Sequence, residues 1–282
     1  MPSAYMPPPP QYSEQDPAVL NVPNNNPPHN QAFLGASTSP AYDVEGCPPE
    51  YSLGMTDSSA FSEKAIRRAF IRKVYLTLAV QLAITVGLIC MFIFWKALKH
   101  WVQNYPYIVY ALCPALIILV LALACCQEIR RRVPYNFIFL GLFTVVEGCM
   151  LGTISALFEA DAVMWAGGAT IVVTLGLTIF ALQTKWDFTV LSGSLCVFLL
   201  VLLSFGVLCA ILRSFYLHIL YASIGTFIFG MYLVVDTQLI MGGKHRYSIN
   251  PEEYIFAALN IYLDIVNLFL LLLQIFGLCG SN

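Results

Sequence analysis

Charged side chains are scarce in this chain. They make up 11% of its 282 residues, whereas soluble domains carry roughly 25%. Hydrophobic residues reach 59%, and the mean hydropathy is +0.74. This balance predicts a membrane protein surrounded by lipids. The formal net charge is only -2, so the chain as a whole is not expected to attract nucleic acid or another highly charged partner.

The beginning of the chain lacks the basic start and apolar core of a signal peptide. Residues 1–61 instead contain 12 of the 16 prolines and few aliphatic side chains. Such a composition cannot bury enough apolar surface to fold by itself. We expect a disordered Pro-rich tail over 1–61 and a transmembrane domain over 62–282, whose first span serves as the insertion signal.

Enzyme signatures are also missing. The sequence has no Gly-rich phosphate loop, no HExxH metal motif and no nucleophile elbow. Two membrane aspartates can be catalytic when they share a water, but the YD and GxGD patterns of intramembrane aspartyl proteases are absent, because Asp236 follows Val235 and Asp264 follows Leu263. We therefore expect neither an enzyme nor a bound cofactor.

Long apolar runs dominate the rest of the chain. Seven of them are about 20 residues or more in length, which is the length that a membrane-spanning helix needs. The connections between them are short, so no soluble domain lies between spans and neighbouring helices must be antiparallel. The sequence predicts an all-α bundle of seven spans, at 74–95, 107–126, 137–158, 162–183, 190–212, 217–241 and 255–277.

Basic residues alternate between the two sides of this bundle. Short cytoplasmic loops are enriched in Lys and Arg, and one side collects most of them: Lys64, Arg67, Arg68, Arg72, Lys73, Arg130, Arg131, Arg132, Lys185, Lys244 and Arg246. The other side holds Lys96, Lys99 and Arg213, together with acidic Glu159 and Asp161. We expect a cytoplasmic amino terminus and, with seven spans, a carboxyl terminus on the opposite side.

The seventh run carries an unusual number of polar residues. Asn260, Asp264, Asn267 and Gln274 fall within a stripe of roughly 80° on one helix face. Polar groups in membrane bundles face the interior. We expect this helix to pack centrally with Asn260 and Asn267 as a polar lining, although the sequence leaves open whether the run crosses the membrane fully or returns.

Two carboxylates lie inside the last two runs. Asp236 is about two turns from the cytoplasmic side and Asp264 about two to three turns, so antiparallel helices could bring them together. Neighbouring carboxylates do not both ionise easily, and we expect them to share a proton. The pair could bind a hard cation such as calcium transiently, or break a closing contact when its charge changes. The alternative is a hydrogen bond or salt bridge that only holds the bundle.

A third acid, Glu147, lies about three turns into the third run, close to the midplane. It could line the same pathway as the aspartates, or it could be a protonated acid that hydrogen-bonds to a neighbouring helix. Gly148 and Gly152 beside it form a GxxxG spacing, which permits close contact between helices.

The tail contains two PPxY motifs. These are PPQY, with Pro9, Pro10 and Tyr12, and PPEY, with Pro48, Pro49 and Tyr51. WW domains read such motifs because the polyproline II conformation is already formed before binding. The expected partners are WW-containing ubiquitin ligases or trafficking adaptors, unless the prolines serve only to keep the tail extended.

Several segments resemble the Bax-inhibitor and lifeguard family of transmembrane proteins. They are AFIRKVYLTLAVQL, RRRVPYNF, LQTKWDF, VDTQLIMGG and SINPEEYIFAALNIYLDIVNLFLLLLQ. The resemblance extends from about Phe61 to the end of the chain, and a Pro-rich tail is similar to that of the lifeguard branch. One departure is Val235, where relatives often carry an aromatic residue.

The resemblance implies a seven-helix fold with a central last helix and a location in the endoplasmic reticulum, the Golgi or endo-lysosomal membranes. It also implies a pH-sensitive calcium leak, with calcium as the permeant ion, and protection against apoptosis. The family's aspartate pair, its pH sensor and gate, maps onto Asp236 and Asp264, and Arg131 or Arg132 is the implied latch partner. The alternative function is a membrane-anchored adaptor that binds WW proteins or apoptosis regulators through its tail.

Overall fold

A computed structural model describes residues 52–105, 107–242 and 245–280, with side chains from Glu63 onward except that of Ile129. The PPxY motifs and Lys244 lie outside the described residues. Within these ranges the secondary structure is helical throughout. The α-helices are α1 (Ser52–Phe94), α2 (Lys96–Asn104), α3 (Ile108–Cys125), α4 (Gln127–Arg131), α5 (Tyr135–Ser155), α6 (Ala160–Gln183), α7 (Ser192–Leu212), α8 (Phe215–Met241) and α9 (Tyr254–Gly280).

Seven of these helices are long and apolar enough to cross a membrane. They are α1, α3, α5, α6, α7, α8 and α9, and short 3₁₀ turns at Phe188–Leu191 and Pro251–Glu253 lead into α7 and α9. The seven-span prediction is therefore confirmed, with helix ends within a few residues of the predicted runs except at the start of α1.

Three helical segments depart from the prediction. Helix α1 begins at Ser52, so the basic segment before the first span continues into it without a break, and the helix starts inside the stretch assigned to the tail. The short helices α2 and α4 were not predicted because neither is an apolar run. Helix α2 is amphipathic, and its Val102 is buried in a small cluster with Phe92 and Ala156.

Helix α9 lies at the centre of the bundle. It packs against α1, α5, α6 and α8. In its most apolar stretch 67% of the residues are buried, whereas the corresponding fraction in the other six spans is 17–44%. A helix that is apolar nearly all round can be buried on all sides. The predicted central last helix is confirmed, and α9 runs as one continuous helix of 27 residues.

Helices α1 and α5 approach closely along the GxxxG face of α5. A Cβ atom added to Gly148 would overlap Leu88 Cδ1, and one added to Gly152 would overlap the Phe92 ring. Small residues let helix backbones approach, which strengthens van der Waals packing in a medium without a hydrophobic driving force. The glycine pair therefore sets the distance between α5 and α1.

Candidate functional site

The carboxyl groups of Asp236 and Asp264 meet inside the bundle. Asp236 lies on α8 five residues before its last residue, Met241, and Asp264 lies on α9 ten residues after its first residue, Tyr254. The two side chains are within reach of a side-chain hydrogen bond, and their residues are only 7% and 5% exposed. Asp264 Oδ2 has no hydrogen-bond partner among the described residues. The geometry brings the predicted pair together and leaves one of its oxygens free.

Tyr232 is a neighbour of this pair that was not predicted from the sequence. It lies one helical turn before Asp236 on α8, and its hydroxyl is within electrostatic reach of both carboxyl groups. Val235, which directly precedes Asp236, is buried. The i, i+4 spacing from Tyr232 to Asp236 was the available signal, because residues four apart share a helix face.

The polar stripe of α9 is only partly turned inward. Asp264 is buried, but Asn260 and Asn267 are half-buried. The Asn267 amide donates to the Leu263 carbonyl of its own helix at 2.8 Å. Gln274 Nε2 lies 3.4 Å from His218 Nδ1 on α8. The stripe therefore runs along the edge of the α9 interface, with the aspartate as its deepest member.

Arg130 is the buried arginine of the basic turn. Its Nη2 lies 2.8 Å from Glu253 Oε1 at the start of α9, and its Nη1 donates to the Ala124 carbonyl at 3.2 Å. The guanidinium also lies over the Phe256 ring, 4.8 Å from its centroid. Charge-assisted hydrogen bonds and a cation–π contact together fix its position. This residue attaches the α3–α5 connection to the central helix.

The two latch candidates named from the resemblance lie further out. Arg131 Nη2 is 3.0 Å from Glu253 Oε1 and its Nη1 is 3.8 Å from Glu252 Oε2, with 42% of its side chain exposed. Arg132 forms no ion pair with any described side chain. Neither arginine, nor Arg130, pairs with an aspartate of the buried pair, and Arg130 is the one of the three that is buried against Glu253. The latch role of Arg131 or Arg132 stays a prediction. Consecutive arginines look alike in sequence, and only the direction of α4 decides which one points inward.

Glu147 lies in a separate place. It is buried on α5 and faces Tyr262 of α9. Tyr262 and Asp264 are two residues apart, which is about 200° around a helix. The body of α9 thus lies between Glu147 and the aspartate pair, and a pathway shared by all three acids stays a prediction.

Arg67 holds the end of α8 to α1 a short distance beyond Asp236. Its Nη1 donates to the Ile249 carbonyl at 2.8 Å, and its guanidinium lies against Gly242. Gly242 ends α8 with a φ of 56°, a backbone conformation that glycine adopts without steric cost. A cation at a helix carboxyl terminus is favourable because it faces the negative end of the helix dipole.

Gln238 of the VDTQ segment fastens the α6–α7 connection to α8. It is fully buried; its Oε1 accepts from Phe188 N at 2.8 Å and its Nε2 donates to the Trp186 carbonyl at 3.0 Å. Next to it, Asp187 accepts hydrogen bonds from the Thr189 hydroxyl at 2.6 Å and from Arg246 N at 2.7 Å. These bonds lower the pKa of Asp187 to about 2, with the Thr189 hydroxyl as the largest cause.

These contacts gather the basic residues at one end of the bundle. The start of α1 contacts the α8–α9 connection through Arg67, the α3–α5 connection contacts α9 through Arg130, and the α6–α7 connection contacts Arg246. Lys73 also lies over the Tyr254 ring. The segments that the charge pattern assigned to one side therefore share one end, and the aspartate pair lies in that half of the bundle.

Comparison with known proteins decides the family. A family model described as inhibitor of apoptosis-promoting Bax1 matches residues 67–281. The chain belongs to the Bax-inhibitor and lifeguard family. Its relatives include protein lifeguard 3 of Homo sapiens, 39% identical over 90% of this chain and 82% of the relative, and protein lifeguard 3 of Mus musculus, 40% identical over 77% and 71%. Bax inhibitor 1 of Schizosaccharomyces pombe is 35% identical over 95% of this chain and 96% of its own.

As a Bax-inhibitor and lifeguard protein with seven membrane-spanning helices, the chain is a multi-pass membrane protein. The matched region contains all of the spans, the aspartate pair and the Arg130–Glu253 ion pair. Within the described residues no three His, Cys, Asp or Glu side chains cluster as a metal site, so the aspartates stand as a pair.

Proposed function

We propose that this protein is a passive, pH-sensitive calcium leak of an intracellular membrane, with Asp236 and Asp264 as its ion-binding and gating carboxylates. The observation that supports the proposal is the buried contact between these two side chains on neighbouring helices. Ionisable residues inside a membrane bundle lower its stability, so their presence is by default a sign of a functional site.

The chemistry of the pair explains how pH and calcium would act on the same oxygens. Two adjacent carboxylates repel each other, so the pair holds either a proton between them or a cation. Calcium binds carboxylate oxygens, and two carboxylates match its charge. Because only two acids face the ion, binding would be transient, as conduction requires an ion to leave as well as to enter.

The Arg130–Glu253 ion pair is the proposed closing contact at the entrance. It joins the basic turn to the 3₁₀ turn that leads into α9, at the end of this helix that is nearer to Asp264. Breaking it would free the start of α9 from α4 and widen the approach to the pair. Rearrangements of this kind occur when interface salt bridges have two alternative arrangements.

Location and physiological role follow from the family and the charge pattern. We place the basic end, and with it the amino terminus, in the cytoplasm, because short loops rich in Lys and Arg remain there. The membrane is that of the endoplasmic reticulum, the Golgi or the endo-lysosomal system. Family membership supports an anti-apoptotic, cytoprotective role, which a limit on stored calcium would explain.

The test is calcium flux in liposomes that contain the purified full chain. Asp236→Asn and Asp264→Asn should each change the flux and flatten its dependence on pH. Glu159→Gln, which alters an exposed acid at the opposite end of the bundle, is the matched control and should behave as the wild type. Wild-type flux and pH dependence in both aspartate variants would refute the proposal.

A second candidate function is favoured by the two PPxY motifs of the tail. In this alternative the bundle is an anchor, and the tail binds WW-containing ubiquitin ligases, trafficking adaptors or apoptosis regulators. Tyr12→Ala combined with Tyr51→Ala removes the aromatic residue of both motifs. Loss of cell protection with unchanged liposome flux would favour the adaptor, whereas unchanged protection would count against it.

A further inference from the structure

A second buried polar cluster lies between α1, α5 and α9, on the face of α9 that points away from the aspartates. Its members come from three helices and are at most 5% exposed: Gln81, Thr85, Thr144, Glu147 and Tyr262. Each buried donor normally has an acceptor as its hydrogen-bond partner, and each buried acceptor has a donor. In this cluster the two kinds of group do not balance.

The orientation of the Gln81 amide follows from Thr144. The Thr144 hydroxyl donates to the Leu140 carbonyl at 2.8 Å, so its oxygen can only accept from a further partner. Gln81 Nε2 supplies that hydrogen bond at 3.1 Å. The NH₂ group of the amide must therefore face Thr144, and Gln81 Oε1 is left buried without a donor among the described residues.

The two hydroxyls of the cluster are ordered in the same way. Thr85 donates to the Gln81 carbonyl at 2.9 Å, so the 2.8 Å contact between Thr85 and Tyr262 requires the tyrosine to donate. The Tyr262 oxygen then presents only lone pairs to its remaining neighbours. One of these neighbours is Glu147, which is within electrostatic reach of the Tyr262 hydroxyl.

The result is an excess of acceptors around one acid. The Glu147 carboxyl, Gln81 Oε1 and the Tyr262 oxygen are all acceptors, and the second N–H of the Gln81 amide is the one donor of the cluster left to satisfy them. Glu147 forms no ion pair within the described part of the chain. An unpaired charge in such a place costs several kcal/mol, so the cluster needs one positive charge. Oxygen ligands favour hard cations, and one carboxylate matches a monovalent ion.

We propose that Glu147, Gln81 and Tyr262 form a sodium-binding site that is separate from the aspartate pair and for which protons compete. Sodium would be coordinated by the carboxylate, the amide oxygen and the phenol oxygen. Close packing of Gly148 on Leu88 and on the backbone at Thr85 holds α5 against α1 beside the site. Binding would therefore stabilise the contact of α1 and α5 with the central helix.

The test is thermal unfolding of the purified full chain in detergent at pH 8, with NaCl titrated against choline chloride at constant ionic strength. A ligand that binds only the folded state raises the unfolding midpoint. We expect a saturable rise with sodium in the wild type, its loss in Glu147→Gln, and its retention in Asp264→Asn. Tyr262→Phe removes one ligand, so this variant should need a higher sodium concentration to reach half of the maximal increase in unfolding midpoint.

Lowering the pH to 5.5 should raise the sodium concentration at which the increase in unfolding midpoint is half-maximal, because protons compete for Glu147. A midpoint that depends on pH but not on sodium would overturn the proposal and leave the cluster as a proton site. A sodium effect that persists in Glu147→Gln would overturn it as well. The measurement involves no calcium flux, so its outcome is independent of the function proposed above.

Discussion

Arg130 Nη2 lies 2.8 Å from Glu253 Oε1, and this ion pair connects the basic turn before α5 to the 3₁₀ turn that leads into the central helix. Glu253 precedes Asp264 by eleven residues on the same chain segment. The basic turn is thereby in direct contact with the segment that leads into α9, the helix that carries one of the two buried aspartates.

Removing this pair should destabilise the bundle more than removing its neighbour. Arg130→Ala leaves Glu253 without its closest partner and deletes the contact with Phe256. We expect a loss of about 2 kcal/mol, since a hydrogen bond to a charged group contributes roughly that much. Arg132→Ala should cost less than about 0.5 kcal/mol, as for most surface substitutions. Unfolding midpoints in detergent measure both, and equal losses would contradict the assignment of Arg130.

Gln238→Leu should release the α6–α7 connection. The substitution keeps a similar volume but deletes the bonds to Phe188 N and to the Trp186 carbonyl. Lys185 is exposed in this connection, so its cleavage by a lysine-specific protease reports the release. We expect cleavage to accelerate in Gln238→Leu and to stay at the wild-type rate in Thr184→Val, whose hydroxyl makes only an exposed local bond to Trp186 N. A wild-type rate in Gln238→Leu would show that the connection is held elsewhere.

Asp187 should contribute to stability in a pH-dependent way. The Thr189 hydroxyl and Arg246 N lower the pKa of Asp187 to about 2, whereas an unfolded aspartate has a pKa of about 3.9. Its contribution is therefore complete above about pH 4 and is lost as the pH falls through about 2. The difference in unfolding midpoint between wild type and Asp187→Asn should be constant from pH 5 to 7 and shrink below about pH 4. A difference in unfolding midpoint that grows on acidification would contradict this prediction.

Glycine substitutions should have opposite effects on α5 and α6. Gly152→Ala places a methyl group against the Phe92 ring, and we expect overpacking to cost about 1–3 kcal/mol. Gly176→Ala meets no atom within 4 Å, and alanine is the better helix former by about 1 kcal/mol. It should be neutral or stabilising. Unfolding midpoints of the two variants test this, and a destabilised Gly176→Ala would show that α6 has a packing partner there.

The sequence predicted the fold because membrane spans obey simple rules. Length and hydropathy predicted seven helices, and the polar stripe of the last run predicted that α9 lies at the centre. The similar depths of Asp236 and Asp264 also predicted that they could meet. Helices α2 and α4 were missed because neither is an apolar run. The start of α1 was missed because its first residues are as polar as the tail before them, so hydropathy does not mark the boundary.

What the sequence by itself determined was thus the number of spans, the common end of the basic residues and the depth of each acid, since these depend on position along the chain. Only the tertiary structure decided which side chains meet around a helix. It buried Arg130 rather than Arg131 or Arg132, placed Tyr232 beside the aspartate pair, and set Glu147 against the face of α9 that points away from Asp264. A rotation of 100° per residue separates such neighbours, and the angle at which each helix faces its partners is fixed by packing.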